Sequence, residues 1–207
     1  MPGKSRETRE ARKERKRKLI INAALTLFSQ RGFHGTTMAE VAREAGISVG
    51  SIYQYFQNKD HLYHSVLEER CNEILDAVRE LLDPDRPFRE NLRAVLRALH
   101  ELAERNHSFF RLYLSSEHLP VLEEVRERLG TRADVIYQKF LSFFTEMMEM
   151  GMKRGELREV SPLLLAQAYL GITNTFFFEW LKGNVASLKD TEEFVITLFL
   201  SGAEKRE

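Results

Sequence analysis

Apolar residues recur at helical spacing along almost the whole chain. Between Arg12 and Arg31, Leu19, Ile20, Ala23, Ala24, Leu27 and Phe28 form one stripe, which predicts a helix. Gly32 then ends it as a left-handed C-terminal glycine would. Thr37-Met38-Ala39-Glu40 reads as a capping box, so a second helix starts at Thr37 and stops at Ala45, before Gly46. Ser48 offers a further N-cap to a short third helix, Val49 to Tyr55. Asn58 caps a fourth that runs through Leu62, Val66, Ile74 and Leu81 to the break at Asp83-Pro84.

Beyond Pro87 the same period predicts helices up to Asn106 and over Phe109 to Leu114. Another is opened by Pro120 and ends near Gly130. Ile136, Phe140, Phe143, Phe144, Met147 and Met148 form a strong stripe closed by Gly151 and Gly155. Pro162 opens a helix that ends at Gly183, and a last one covers Asp190 to Gly202. No alternating strand pattern, repeat or low-complexity linker interrupts them. The expected fold is all-α.

Two of these helices are apolar nearly all round. Leu163 to Leu181 and the last helix, with Phe194, Val195, Leu198, Phe199 and Leu200, must be covered on nearly all sides. A small domain covers one face; a second copy of the chain would cover the other. The expectation is a homodimer joined by a four-helix interface, with Leu165, Tyr169, Phe177, Trp180 and Phe199 at its core.

Charge changes this picture by its distribution. The net charge is zero, but residues 1–60 hold 12 Lys+Arg against 6 Asp+Glu, and residues 1–18 alone hold 9 against 3. A basic end on a neutral chain suggests contact with a polyanion. No run of about 18 apolar residues is present, so no membrane span is expected. No signal-peptide pattern follows the basic start, and the expected location is the cytoplasm. The single cysteine, Cys71, excludes an internal disulfide and a thiolate zinc cluster.

Candidate chemistry centres on the third helix. Two short helices joined by a glycine turn, Gly46-Ile47-Ser48, with a third packed across them, make a helix-turn-helix. Ile47, Val41, Ala42 and Ile52 would form its small core, and the small Ala39 and Ala42 would allow close helix approach. A glycine inside so short a helix costs about 1 kcal/mol against alanine, and Tyr is a weak helix former. DNA contact explains both. Gly50 lets the backbone approach base edges, Ser48, Ser51 and Gln54 can bond to them, and Tyr53, Tyr55 and Lys59 can hold phosphates.

On Thr37, Val41, Ala42, Ala45, Gly46, Ser48, Gly50, Tyr53, Phe56, Lys59 and Leu62, with Phe28 and Gly32-Phe33 before them, residues 15–65 resemble the DNA-binding signature of the tetracycline-repressor (TetR) family. The resemblance implies phosphate contacts from Thr37, Tyr53, Tyr55 and Lys59, base contacts from Gly50, Ser51 and Gln54, and a core role for Phe56. Val49 stands where many members carry Lys or Arg. The implied organisation is a flexible basic arm over 1–12, a three-helix DNA-binding domain over 13–60, and a helical ligand-binding and dimerisation domain over 61–207.

The aromatic and methionine set Phe109, Tyr113, Phe140, Phe144 and Met148 reads by itself as core, and the resemblance to the family implies that it lines the ligand site. Its lining suits a largely apolar effector, a fatty-acyl or drug-like aromatic molecule. Arg111 and Glu117 are its nearest polar candidates. The six histidines, His61 and His64 included, are expected at the surface and without a metal. Cys71 is expected to be idle. The expected partners are double-stranded operator DNA, an apolar small-molecule effector and a second copy of the chain. No nucleophile elbow or glycine-rich phosphate loop is present, so neither catalysis nor a cofactor is expected. A purely structural helical dimer is the alternative that the basic N-terminus argues against.

Overall fold

The computed structural model describes residues 8–114 and 135–203, with the side chains at 113, 114, 135 and 136 excepted. Within them the chain is helical and contains no sheet. It divides into two compact units, Met1–Leu67 and Glu68–Glu207, so the break falls seven residues later than the boundary expected at 60. The helix expected between Pro120 and Gly130, together with Glu117, lies outside the described residues.

The first unit is built on α1 (Arg9–Arg31), capped by Thr8, whose hydroxyl oxygen accepts from Ala11 N at 3.2 Å. Residues 9–12 of the expected arm are therefore helix. Ile20, Ile21, Ala23, Ala24, Leu27 and Phe28 are buried, while Leu19, counted into the stripe from sequence, is exposed. Gly32, at φ 71°, closes the helix with its N–H on Phe28 O. The rings of Phe28, Phe33 and Tyr63 then meet edge to face or stacked, with centroids 5.1–6.1 Å apart. α2 (Met38–Glu44) starts at the expected capping box: Thr37 Oγ1 accepts from Glu40 N and Glu40 Oε2 accepts from Thr37 N. α3 covers only Val49–Ile52, and α4 (Lys59–Arg79) crosses the division between the units.

The second unit holds the rest of α4 with α5 (Phe88–Arg105), α6 (His107–Leu114), α7 (Val135–Lys153), α8 (Pro162–Leu181) and α9 (Glu192–Ala203). A 3₁₀ turn, Leu188–Thr191, precedes α9. The most extensive helix pairing is α7 against α8, and α9 packs on α5 and α8. Arg89 and Arg93 of α5 reach Glu193 of α9 at 2.7 and 2.8 Å. Gly151 does not stop its helix. It lies inside α7, where an added Cβ would come within 2.6 Å of Phe88 and 2.9 Å of Leu157. The helix ends at Lys153, and Gly155, φ 72°, lies in the turn that follows.

Candidate nucleic-acid interface and effector cavity

The turn between α2 and α3 depends on Gly46, whose φ of 68° lies in the left-handed region that glycine adopts without strain. Ser48 caps α3 by accepting from Ser51 N at 3.2 Å, and its hydroxyl lies 2.7 Å from that of Ser51. Val41, Ala42 and Ile52 are fully buried beneath it. Ile47 is only half-buried, and Ala39 is exposed, so Ala42 alone supplies the close approach.

The third helix is shorter than expected. It stops at Ile52, and the chain continues in tight turns in which Gln54 N donates to Ser51 O and Tyr55 N to Ile52 O. Gly50 and the tyrosines support helix weakly, and Phe56, 1% exposed, draws the chain inward. Ser48, Gly50 and Ser51 therefore sit on the helix start, and Tyr53, Gln54 and Tyr55 on the turn that follows. Ser48, Gly50, Tyr53 and Gln54 are exposed. Val49 is exposed beside them. It was read from sequence only as a missing cation, yet its methyls suit contact with a thymine methyl. Gly50 has an ordinary helical φ, and a Cβ there would meet nothing within 4 Å. The fold itself gives no reason for a glycine at this position.

Two of the nominated phosphate ligands carry structural duties. Thr37 is exposed but holds the capping box. Lys59 is half-buried: its ammonium donates to Phe33 O at 2.8 Å and Thr36 O at 3.0 Å, and lies 4.3 Å from the centre of the Phe33 ring. It ties the start of α4 to the loop before α2. At most one of its three N–H donors faces outward. Asn58 caps α4 as expected, accepting from His61 N at 2.8 Å.

In the second unit Phe140 and Phe144 line a cavity of about 20 Å³ with Leu99, Phe110, Leu170, Thr173, Asn174 and Phe177. Phe109 and Met148 are buried but are not part of that lining, a correction to the expected site; Phe109 packs edge to face on Phe110 of the wall. The side chain of Tyr113 lies outside the described residues. A space this size holds about one water.

The expected dimer residues need a larger correction. Tyr169 is 0% exposed, and Phe177 and Phe199 are buried in their own unit's core; Leu165 and Trp180 are half-buried. Tyr169 packs on Phe144 and Phe199, and Phe177 on Phe110 and His100. The apolar side chains left exposed are instead Leu163 and Leu164 on α8, and Phe194 and Leu198 on α9. Small exposed residues, Ala168, Gly171 and Thr175, continue the α8 face.

The histidines also depart from expectation, since His64 and His100 are buried. Burial lowers the His100 imidazole to about 4 even though Glu192 Oε1 lies 3.7 Å from its Nδ1. Burial pushes the Cys71 thiol up to about 12, which leaves it without a reactive thiolate. Among the described residues no three His, Cys, Asp or Glu side chains converge as a metal site, and no helix is long and apolar enough to cross a membrane.

Residues 20–66 match the family model of bacterial regulatory proteins, tetR family. Over 187 residues the chain is 26% identical to the HTH-type transcriptional regulator YhgD of Bacillus subtilis, spanning 89% of this chain and 94% of that one. It is 26% identical to the HTH-type transcriptional repressor KstR2 of Rhodococcus jostii, over 86% of each. Its fold superposes on the transcriptional regulator FadR from Bacillus subtilis, solved in complex with stearoyl-CoA, with a TM-score of 0.78. That pair is 22% identical, over 89% of this chain and 98% of that one. The matched segment contains the capped helix-turn-helix: residues 20–66 form a DNA-binding domain of the tetR family type, in a chain similar along most of its length to HTH-type transcriptional regulators.

Proposed function

We propose that the protein is a repressor that holds a palindromic operator as a homodimer and releases it when an apolar effector enters the second unit. The observation that carries the DNA part is Gly50. A helix-weakening glycine with open space around it, flanked by exposed Ser48, Tyr53 and Gln54, serves a partner rather than the fold. The exposed faces of α8 and α9 support the dimer, because two helices with apolar outer faces from each copy make a four-helix interface. The similarity to KstR2 favours repression.

The effector reading rests on the aromatic walls around Thr173 and Asn174. The fold neighbour that holds stearoyl-CoA makes a long-chain acyl-CoA the first molecule to try. On this reading the protein binds and lets go without catalysis.

The experiment is selection of duplexes from a random-sequence library, followed by titration of the bound complex with stearoyl-CoA. The expected product is an imperfect palindrome with half-sites in successive major grooves. Gln54→Ala should lose about 1–3 kcal/mol at one base position of each half-site and leave unfolding unchanged. Enrichment of unrelated sequences without a palindrome would refute the operator reading. A complex indifferent to stearoyl-CoA would remove acyl-CoA as the effector.

A further inference from the structure

The first two turns of α1 place Arg9, Arg12, Lys13 and Lys16 at i, i+3, i+4 and i+7, one stripe along the helix. With Glu10, Gln54 and Tyr55 these four side chains line an open groove of about 800 Å³ in the first unit. The basic stripe and the turn after α3 therefore share one surface. Four cations face this groove against one carboxylate. Glu10 also borders the neighbouring concavity, which it lines with Ala11, Lys13, Glu14 and Arg17. Arg17 points elsewhere, its guanidinium 5.7 Å from the centre of the Phe56 ring. Lys18 falls half a turn round from the stripe.

Like charges three and four residues apart destabilise a helix. A stripe of four, in a stretch of helix with no fully buried residue before Ile20, carries that cost with only Glu10 in the groove to offset it. A polyanion in the groove relieves that repulsion. The stripe spans about 10 Å along the helix, the axial length of about three phosphates of one DNA strand.

We propose that this stripe is a second DNA-contact surface, which grips the sugar-phosphate backbone of the duplex beside the base pairs read from α3. Arg9, Arg12, Lys13 and Lys16 lie along the phosphates, and Gln54 and Tyr55 mark the inner edge where backbone contact passes into base contact. This inference rests on DNA binding by the α3 segment and adds a separate element to it. The stripe carries no base information. It lengthens the footprint outward and supplies salt-dependent affinity. It also gives a second source of cations to a reading segment that has Val49 and a largely internal Lys59.

The test compares two matched double variants with the wild-type chain: Lys13→Gln/Lys16→Gln on the stripe and Arg15→Gln/Lys18→Gln off it. Binding is measured by fluorescence anisotropy over a series of KCl concentrations. The probes are the duplex enriched from the random library and a mixed-sequence duplex of equal length. On both probes the stripe variant should make the log–log salt slope shallower by about 1.8 per protomer, with base preference unchanged. The off-stripe variant should keep the wild-type slope. Lys13→Arg/Lys16→Arg should restore it, which separates lost charge from a lost helix. Equal slope changes in the two Gln variants, or none in the stripe variant, would overturn the proposal while Gln54→Ala still reports on α3. A wild-type chain that binds neither duplex would overturn the stripe and the reading beneath it together.

Discussion

Tyr53 and Tyr169 are both tyrosines nominated for contact with a partner, and the two units treat them in opposite ways. Tyr53, in Met1–Leu67, is 51% exposed. Tyr169, in Glu68–Glu207, is wholly buried, and burial raises its phenol far above the ordinary value. In the first unit short helices with side-chain caps, α2 and α3, turn polar residues outward, and the surface around Ser48, Tyr53 and Gln54 is polar. In the second, long helices apolar on most sides divide between a core and an exposed face made of the same residue types. The exposed residues proposed to meet a partner in the first unit differ chemically from the core. Those in the second differ only in the direction they point.

The largest expected effect breaks that comparison within one helix. Phe199→Glu should cost at least about 4 kcal/mol, because it removes a packed ring and buries a charge without a partner. Phe194→Glu, five residues earlier and 60% exposed, should leave unfolding nearly unchanged and turn the proposed dimer into monomer. Denaturant unfolding paired with sedimentation reads both. A stable dimer of the Phe194 variant would place the interface on another face.

Acid should find the second unit first. His100 titrates near 4 when folded and near its ordinary value of about 6.5 when unfolded. Between those values the unfolded chain binds more protons, so stability falls as pH falls through this window and is complete above it. The contribution is at most about 3 kcal/mol, opposed by the Glu192 carboxylate. Urea unfolding at pH 7.5 and 4.5 should show the loss, and His100→Gln should flatten it. An equally steep loss in the variant would assign the acid sensitivity elsewhere.

Lys59→Met tests a residue that the fold uses and that is also proposed to contact DNA. Loss of its bonds to Phe33 O and Thr36 O should lower the thermal stability of the first unit by roughly 1–2 kcal/mol. Unchanged stability with a shallower salt slope for DNA would return Lys59 to the phosphate role alone. The smallest effect is the most discriminating. Gly50→Ala should stabilise the first unit by up to about 1 kcal/mol, because its Cβ meets nothing and helix propensity rises. DNA binding should weaken at the same time. A variant that binds normally would show that the backbone at Gly50 does not approach the duplex closely.

Much of the first unit was legible because its signals are local. A capping box, a left-handed glycine and an N-cap serine act over three or four residues, and Thr37, Gly46, Ser48 and Asn58 all stand where those rules put them. The helix over 49–55 failed because the pull of Phe56 into the core is not a local signal. Lys59 failed for a similar reason: its partners are carbonyls 26 and 23 residues away.

By itself, the sequence determined that the chain is all-α, where its main helices begin and end, that its cations gather at the N-terminus, and that a helix-turn-helix with a surplus glycine follows them. Periodicity, capping and charge are properties of neighbouring residues, so no tertiary contact is needed to read them. Only the tertiary structure decided which way α8 and α9 turn their apolar residues. It buried Tyr169, Phe177 and Phe199 and left Leu164, Phe194 and Leu198 outside. It also decided that the aromatic cluster closes to a cavity of about 20 Å³, and that the basic stripe of α1 shares a groove with Gln54 and Tyr55. A helix apolar all round carries no mark of its inward side. That side is chosen by the helices packed against it, which lie far away in the chain.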